Sequence, residues 1–132
     1  MLRSISSTLA ACDIRRNPLA LGQAGEKAAA ALLEGRGYRV VGAGFSARRG
    51  ELDLVCRRDD ELVVVEVKTR SSDAFGTPAE AVGRRKRRAL AGAAAEYRAL
   101  ADWRGPIRFV VVGLTGDPEV GFTAELIEDP FQ

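Results

Sequence analysis

Length and charge set the first limits on this protein. The chain has 132 residues, which is enough for one hydrophobic core and points to a single domain. The formal net charge is only +2, so any affinity for nucleic acid must come from where the arginines lie. The absence of histidine excludes histidine-based triads and histidine-ligated metals, and two cysteines, Cys12 and Cys56, are too few for a zinc site.

The N-terminal residues are the least patterned part of the chain. Short apolar runs interrupted by serine predict a flexible arm over residues 1–16, ahead of one domain over residues 17–132. No apolar run in the sequence approaches the length needed to cross a membrane. Together with the low cysteine content, this pattern favours a cytoplasmic protein.

A first helix is predicted over Asn17–Gly35. Its opening Asn-Pro pair supplies an N-cap and a residue suited to the first helical position, and the final glycine favours termination. Glu26 lies on the flank of the apolar stripe, in register with Ala29 and Leu33. A carboxylate at that position fits either a metal site at the edge of a sheet or a half-exposed surface.

Three short strands bounded by turn-forming residues are predicted next: Tyr38–Phe45, Leu52–Arg57 and Leu62–Thr69. The loop between the first two carries Arg48 and Arg49, which should project near the start of the second strand. A two-residue turn at Asp59-Asp60 would join the second and third strands as a hairpin.

Two charged residues interrupt the apolar run of the third strand. Glu66 and Lys68 share one face of that strand because side chains alternate between faces. With the two-residue turn, Asp53 on the neighbouring strand falls opposite Glu66, with Cβ atoms about 5 Å apart. A turn longer or shorter by one residue would put the two acids on opposite faces of the sheet.

Facing carboxylates repel each other, and a cation between them relieves the repulsion. Oxygen ligands without histidine suit a hard ion, Mg²⁺ or Mn²⁺. Lys68 is then placed to stabilise negative charge on a phosphate under attack or to help deprotonate the attacking water. The alternative interpretation of the same residues is a solvated ion pair of little consequence for stability.

A second helix is predicted from Thr77 to Ala101, opened by a capping box. The residues expected on its apolar stripe are Val82, Ala89, Ala93, Tyr97 and Leu100. Five consecutive basic residues, Arg84–Arg88, cross this stripe. Lys86 falls on the stripe itself, where it either lays its stem along the sheet or reaches the mouth of the cleft.

The last two strands are predicted at Ile107–Val112, internal and parallel to its neighbour, and at Phe122–Ile127, on the sheet edge. Residues Gly113–Gly121 are predicted to form the loop between them. The predicted fold class is therefore α/β, with a mixed sheet of about five strands flanked by helices in the order α-β-β-β-α-β-β.

The strings GELDLV, LVVVEVKTR and FGTPAEAV resemble the YraN family of small uncharacterised proteins. The likeness covers roughly Gly22–Val112. That family is grouped with the restriction-endonuclease-like PD-(D/E)xK superfamily and is similar to archaeal Holliday-junction resolvases. The resemblance implies a restriction-endonuclease-like sheet, Asp53 and Glu66 as metal ligands and Lys68 as the catalytic lysine. It also implies that Glu26 is a further acidic metal ligand on the first helix.

The expected activity is that of a metal-dependent, structure-selective endonuclease that hydrolyses phosphodiester bonds in branched or flapped DNA. An aromatic content of 6% favours recognition of the DNA backbone over stacking on single-stranded bases. The basic side chains expected at the DNA are Arg48, Arg49, Arg70, Arg84, Lys86 and Arg87. Paired cuts would require a homodimer, as the resemblance implies. The alternative functions are a non-catalytic nucleic-acid-binding or adaptor module with the same fold, and a protein-interaction domain.

Overall fold

A computed structural model of the chain describes residues 18–70, 83–117, 119 and 121–130. Within these residues the chain forms two helices and five strands, with the bounds α1 Pro18–Gly35, β1 Arg39–Ser46, β2 Glu51–Arg58, β3 Glu61–Arg70, α2 Arg84–Ala101, β4 Ile107–Asp117 and β5 Gly121–Glu128. The predicted order α-β-β-β-α-β-β is confirmed. The predicted N-terminal arm lies outside the described residues.

The five strands form one mixed sheet in the order β1-β2-β3-β4-β5. β3 and β4 are parallel, whereas the other neighbours are antiparallel. The parallel pair arises because α2 lies between β3 and β4 along the chain and returns the chain to the end of the sheet where β3 began. β3, the strand that carries Glu66 and Lys68, is therefore central and paired on both sides.

One helix covers each face of the sheet. The buried side chains on the α1 face include Ala28, Ala29, Leu33, Leu54, Val63, Val65, Val110 and Val112. Those on the α2 face include Leu90, Ala93, Ala94, Leu52, Val55, Val64 and Val111. Fully burying one such valine or leucine side chain stabilises the fold by about 1.5–3 kcal/mol. Burial on both faces explains why β3 and β4 have nearly continuous apolar sequences.

Cys56 on β2 is a free and fully buried thiol. Burial raises the pKa of that thiol to about 11, with a further contribution from the charge of Glu34, so Cys56 is unreactive at neutral pH. Neither of the two described helices is long and apolar enough to cross a membrane.

α2 begins later than its sequence signals predict. The helix starts at Arg84, and Gly83 precedes it in an extended conformation with φ −78° and ψ −179°. The predicted capping box at Thr77–Glu80 lies outside the described residues. The basic run Arg84–Arg88 therefore forms the first turns of α2 rather than its middle.

The buried face of α2 matches the prediction only in part. Leu90, Ala93 and Ala94 are buried, whereas Leu100, predicted on the apolar stripe, is 77% exposed. Ala93 and Tyr97 of the predicted stripe do pack toward the sheet, whereas Leu100 lies in the last turn of α2. The predicted stripe is therefore confirmed at Ala93 and Tyr97 and wrong at Leu100, and Val82 lies outside the described residues.

The predicted loop Gly113–Gly121 is also wrong. β4 continues to Asp117, and β5 begins at Gly121. Gly113 is paired with β3 on one side and with β5 on the other. These two neighbours keep it in a strand, although glycine often marks a turn. Gly116 has φ 134°, and a Cβ there would overlap the Gly121 carbonyl. Glycine at this position permits the close approach of two strands.

Candidate active site

The β2–β3 hairpin carries the acidic residues predicted at the site. Its two-residue Asp-Asp turn starts at Asp59, whose φ of 55° lies in the left-handed region that Asp tolerates. The ladder of paired residues ends with Leu54 opposite Val65. The predicted turn is confirmed, and the ladder stops one residue before the predicted pair of Asp53 and Glu66.

β2 departs from regular strand geometry at Asp53. Leu52 packs on the α2 face and Leu54 on the α1 face, although residues two apart in a regular strand share a face. The pairing of β2 with β3 ends at Leu54 and does not include Asp53. Instead, Asp53 Oδ2 accepts a hydrogen bond of 2.8 Å from the backbone N–H of Val67. The carboxylate therefore takes the place of a backbone acceptor between β2 and β3, and this bond fixes its position beside the central strand.

Glu66 is the one charged residue that is buried in the described ranges, with 3% of its surface exposed. Lys86 Nζ lies 3.0 Å from Glu66 Oε2, and Lys68 Nζ lies 3.8 Å from the same oxygen. Neither ammonium group meets hydrogen-bond geometry, and Oε2 accepts no hydrogen bond from any described residue. The alternative interpretation of Glu66 and Lys68 as a solvated pair is therefore wrong. Glu66 Oε2 is a buried oxygen whose capacity as an acceptor is unused.

The carboxyl groups of Asp53 and Glu66 act on each other directly. Burial raises the pKa of Asp53 from 3.8 to about 7, and a hydrogen bond to Glu66 and the negative charge of Glu66 add to the increase. The Val67 N–H and the Lys86 ammonium oppose this change because both stabilise the charged carboxylate. Two carboxyl groups this close repel each other when both are charged, and a divalent cation would relieve that repulsion.

A cavity of about 370 Å³ opens beside Asp53, between α1 and the end of β3. The residues that line it are Leu21, Gly22, Glu26, Asp53, Val67, Lys68 and Thr69. Glu26 reaches this space because it follows the line of Ala29 and Leu33, which are fully buried against the sheet. Partial burial and the negative charges of Asp53 and Glu51 raise the pKa of Glu26.

The three predicted metal ligands are not equally placed. Asp53 is close enough to Glu66 for each to affect the other's charge, and it shares a cavity with Glu26. In the part of the chain that the structure describes, no group of three acidic, histidine or cysteine side chains is close enough to hold one ion. Asp53 and Glu66 thus form the core of the site, and Glu26 would join it through a bridging water or a small movement of α1.

Lys86 extends from α2 to the acidic pair, although it is not among the residues that line the Asp53 cavity. It comes from the first turn of α2, and its ammonium group is the closest cation to Glu66 Oε2 among the described contacts of that oxygen. The side chain remains 39% exposed, so its stem spans the distance from solvent to the buried carboxylate.

The other predicted DNA-binding residues divide into two groups. Arg84 and Arg87 lie exposed in the first turn of α2, next to Lys86. Arg70 ends β3, two residues after Lys68, and is half-buried. These residues therefore lie on the two elements that carry the lysines of the site.

Arg48 and Arg49 do not line the Asp53 cavity. The backbone N–H of Arg48 donates a 2.9 Å hydrogen bond to Glu96, and the side chain of Arg49 covers Gly92. Both arginines border a separate cavity of about 460 Å³ against α2. The β1–β2 loop thus directs both arginines toward the C-terminal half of α2, and their role in DNA binding stays a prediction.

Neutral residues at the site were missed in the sequence. Leu21, Gly22 and Thr69 line the cavity, although none carries a charge that would mark it. At Gly25, α1 approaches β3 so closely that a Cβ would overlap Thr69 Oγ1. The available signal was a glycine inside a helix, which costs about 1 kcal/mol relative to alanine and usually has a packing reason.

The donor set fits a hard divalent cation. It offers carboxylate oxygens without histidine or thiolate, one oxygen with no hydrogen bond from the described residues, and an adjoining cavity large enough for water and a phosphate group. Lys68 lines the same cavity and lies 3.8 Å from Glu66. An anion that entered this cavity would therefore lie next to Lys68 and Asp53, whereas Glu66 is not among the residues that line it.

Comparison with known proteins identifies a family. The sequence model of the uncharacterised protein family UPF0102 matches residues 25–114, a range that contains Asp53, Glu66, Lys68 and Lys86. The chain is 42% identical over 112 residues to a UPF0102 protein of Symbiobacterium thermophilum, which covers 84% of this chain and 95% of that protein. It is 45% identical over 105 residues to a UPF0102 protein of Anaeromyxobacter dehalogenans, which covers 76% of this chain and 78% of that protein.

Proposed function

Since this chain belongs to the uncharacterised protein family UPF0102, the YraN family whose motifs it carries, we propose that it is a metal-dependent endonuclease acting on branched or flapped DNA. One observation carries the proposal. Glu66 is buried next to the half-buried Asp53, its Oε2 atom accepts no hydrogen bond from the described residues, and Lys68 lies beside it.

Asp53 and Glu66 are the residues that would hold the cation, Mg²⁺ or Mn²⁺. The cation would supply positive charge against the phosphodiester and make water acidic enough to react near neutral pH. The Val67 N–H keeps the Asp53 carboxylate oriented, so the site needs little reorganisation before it binds. Lys68 would donate to a phosphate oxygen and stabilise the negative charge that develops there.

The basic first turn of α2 supports a polyanionic substrate. Arg84 and Arg87 are exposed there, on the element that sends Lys86 into the site. Contacts of this kind bind the phosphate backbone without reading base sequence, which suits recognition by DNA shape. One acidic pair per chain cuts one strand, so paired cuts would require a symmetric dimer.

Nuclease assays with single substitutions test the proposal. Wild-type protein, Asp53→Ala and Lys68→Ala are incubated with branched, flapped and linear duplex DNA in Mg²⁺, in Mn²⁺ and in EDTA. We expect metal-dependent cleavage by wild type and a loss of at least about 100-fold in both variants, the usual scale for removing a group that stabilises the transition state. Asp60→Ala and Lys27→Ala, which remove the same charges from exposed positions, should cleave normally. Metal-dependent cleavage that persists in both site variants would contradict the proposal.

A second candidate function is a non-catalytic nucleic-acid-binding module. The observation that favours it is the 3.0 Å contact from Lys86 to Glu66, which supplies positive charge to the acid without a metal. Calorimetric titration of wild type with Mg²⁺ and Mn²⁺ separates the two functions. Absence of metal binding, with DNA affinity retained, would favour the module over the enzyme.

A further inference from the structure

We propose that Lys86 competes with the divalent cation for Glu66, and that nucleic acid bound to the first turn of α2 relieves this competition. The inference rests on the proposed function, because it requires that Asp53 and Glu66 hold a cation. It adds a specific role for Lys86 as a positioning residue that links DNA binding to metal binding.

The contact itself is suited to competition. Lys86 Nζ is 3.0 Å from Glu66 Oε2, close enough for strong charge attraction, but it lies outside hydrogen-bond geometry. A buried carboxylate in an ion pair that lacks good hydrogen bonds is poorly compensated for its loss of hydration. A doubly charged ion that also recruits Asp53 offers Glu66 a better partner.

Glu66 and Lys86 differ in how freely their side chains can move. Glu66 is 3% exposed and lies on the central strand, whereas the Lys86 side chain is 39% exposed on a helix. When the ammonium group leaves Glu66, it can therefore be rehydrated at little cost. Lys68 is less suited to this role because its Nζ is farther from Oε2, at 3.8 Å, and it lines the cavity where the phosphate is expected.

The helix that carries Lys86 also provides a reason for it to leave. Arg84–Arg88 are consecutive basic residues at the N-terminal end of α2, and the first turn contains no acidic residue. Positive side chains at this end are unfavourable because the helix dipole also places positive charge there. A nucleic-acid phosphate at this turn would relieve the repulsion and attract Lys86 away from Glu66. DNA and the cation should then bind with positive coupling.

Cation affinity in the full-length chain is the direct test. Isothermal titration with Mn²⁺ compares wild type, Lys86→Met and the matched control Arg85→Met. Both substitutions remove one positive charge from the same helical turn, but Arg85 is exposed, whereas Lys86 contacts Glu66. We expect Lys86→Met to bind Mn²⁺ about tenfold more tightly than wild type, the scale of changes next to metal ligands, and Arg85→Met to remain within about twofold.

A second variant keeps the inference testable if Lys86→Met folds poorly without a cation. Lys86→Arg preserves the charge and offers a planar group that can bind a carboxylate through two hydrogen bonds. A stronger competitor should weaken Mn²⁺ binding by about tenfold. A purely structural role for Lys86 would not shift cation affinity in opposite directions in the two variants.

The coupling is measured with a phosphorothioate-linked branched DNA, which resists hydrolysis. In wild type this DNA should tighten Mn²⁺ binding severalfold, whereas in Lys86→Met it should have little further effect because the competitor is gone.

Unchanged Mn²⁺ affinity in both Lys86 variants would overturn the inference and leave the metal site standing. If neither wild type nor Lys86→Met bound Mn²⁺, the proposed function itself would fail. If DNA left the wild-type affinity unchanged, the link to nucleic acid would be overturned.

Discussion

Asp53 illustrates how one residue can be stabilising in its geometry and destabilising in its charge. Its Oδ2 atom accepts the Val67 N–H, which helps to satisfy the backbone where the β2–β3 ladder ends. Burial and the nearby Glu66 nevertheless make its charged form unfavourable and raise its pKa to about 7. Such a conflict is common at functional sites, where stability is lost in favour of chemistry.

The substitution Asp53→Asn should stabilise the protein in a pH-dependent manner. Between pH 4 and 7 the folded protein retains a proton on Asp53 that the unfolded chain has lost, so the stability of wild type falls as pH rises through this range. A neutral asparagine side chain would remove this loss and keep an oxygen for the Val67 N–H. We expect the variant to be more stable than wild type by about 2 kcal/mol at pH 8, after allowance for partial exposure, and to be equal to it near pH 4.

Urea unfolding in EDTA at pH 4.5, 6 and 8 measures this difference. Asp60→Asn, which removes a carboxylate from the exposed hairpin turn, is the control and should show no comparable trend. An Asp53→Asn difference that stays constant across the three pH values would contradict the assignment of a raised pKa to Asp53.

At the scale of elements, the packing of α1 on β3 decides where the cavity lies. Gly25 permits α1 to contact Thr69, and this contact brings Glu26 and Gly22 to the same cavity as Asp53. Ala29 and Leu33 hold the helix on the sheet through full burial. The position of Glu26 therefore depends on a glycine that carries no chemistry of its own.

Two glycine-to-alanine substitutions on α1 separate helix propensity from this contact. At Gly22 a Cβ would meet no atom within 4 Å, so Gly22→Ala should stabilise the protein by about 0.5–1 kcal/mol. At Gly25 the same gain is opposed by overlap with Thr69, so Gly25→Ala should destabilise it by about 1–3 kcal/mol. Chemical denaturation of both variants checks the contrast. Equal stabilisation by both would show that α1 does not approach β3 closely at Gly25.

At the scale of the whole molecule, the distribution of charge matters more than its sum. The net charge of +2 is small, but Arg84–Arg88 concentrate positive charge at one end of α2. Lys86 turns inward to Glu66 from this group, while Arg84 and Arg87 remain exposed. The same helix end therefore faces both the acidic pair and the solvent from which a nucleic acid would approach.

The salt dependence of DNA binding should report on this charge. If Arg84 contacts a phosphate, Arg84→Gln lowers the slope of log K against log salt by about 1, because one fewer counterion is released. Arg104→Gln is the control, since Arg104 is exposed beyond the C-terminal end of α2. Fluorescence anisotropy with a labelled duplex between about 50 and 300 mM salt measures both slopes. Identical slopes for the two variants would remove Arg84 from the DNA interface.

The sequence by itself determined the order of the elements and the register of the β2–β3 hairpin. The two-residue turn was sufficient to set Leu54 opposite Val65, because hairpin register is a local property. The helix spacing that aligned Glu26 with Ala29 and Leu33 was sufficient for the same reason. The position of Asp53, where β2 leaves regular strand geometry, was not specified in this way.

Only the tertiary structure decided the features that depend on distant neighbours. Gly113 lies in a strand because β3 and β5 pair with it, and Leu100, in the last turn of α2, is exposed. Arg49 lies at Gly92 because the β1–β2 loop passes close to α2. The contact of Lys86 with Glu66 joins residues far apart in sequence, and the packing of α2 on the sheet brings them within 3.0 Å. Such contacts follow from how helices pack on a sheet, which local spacing does not specify.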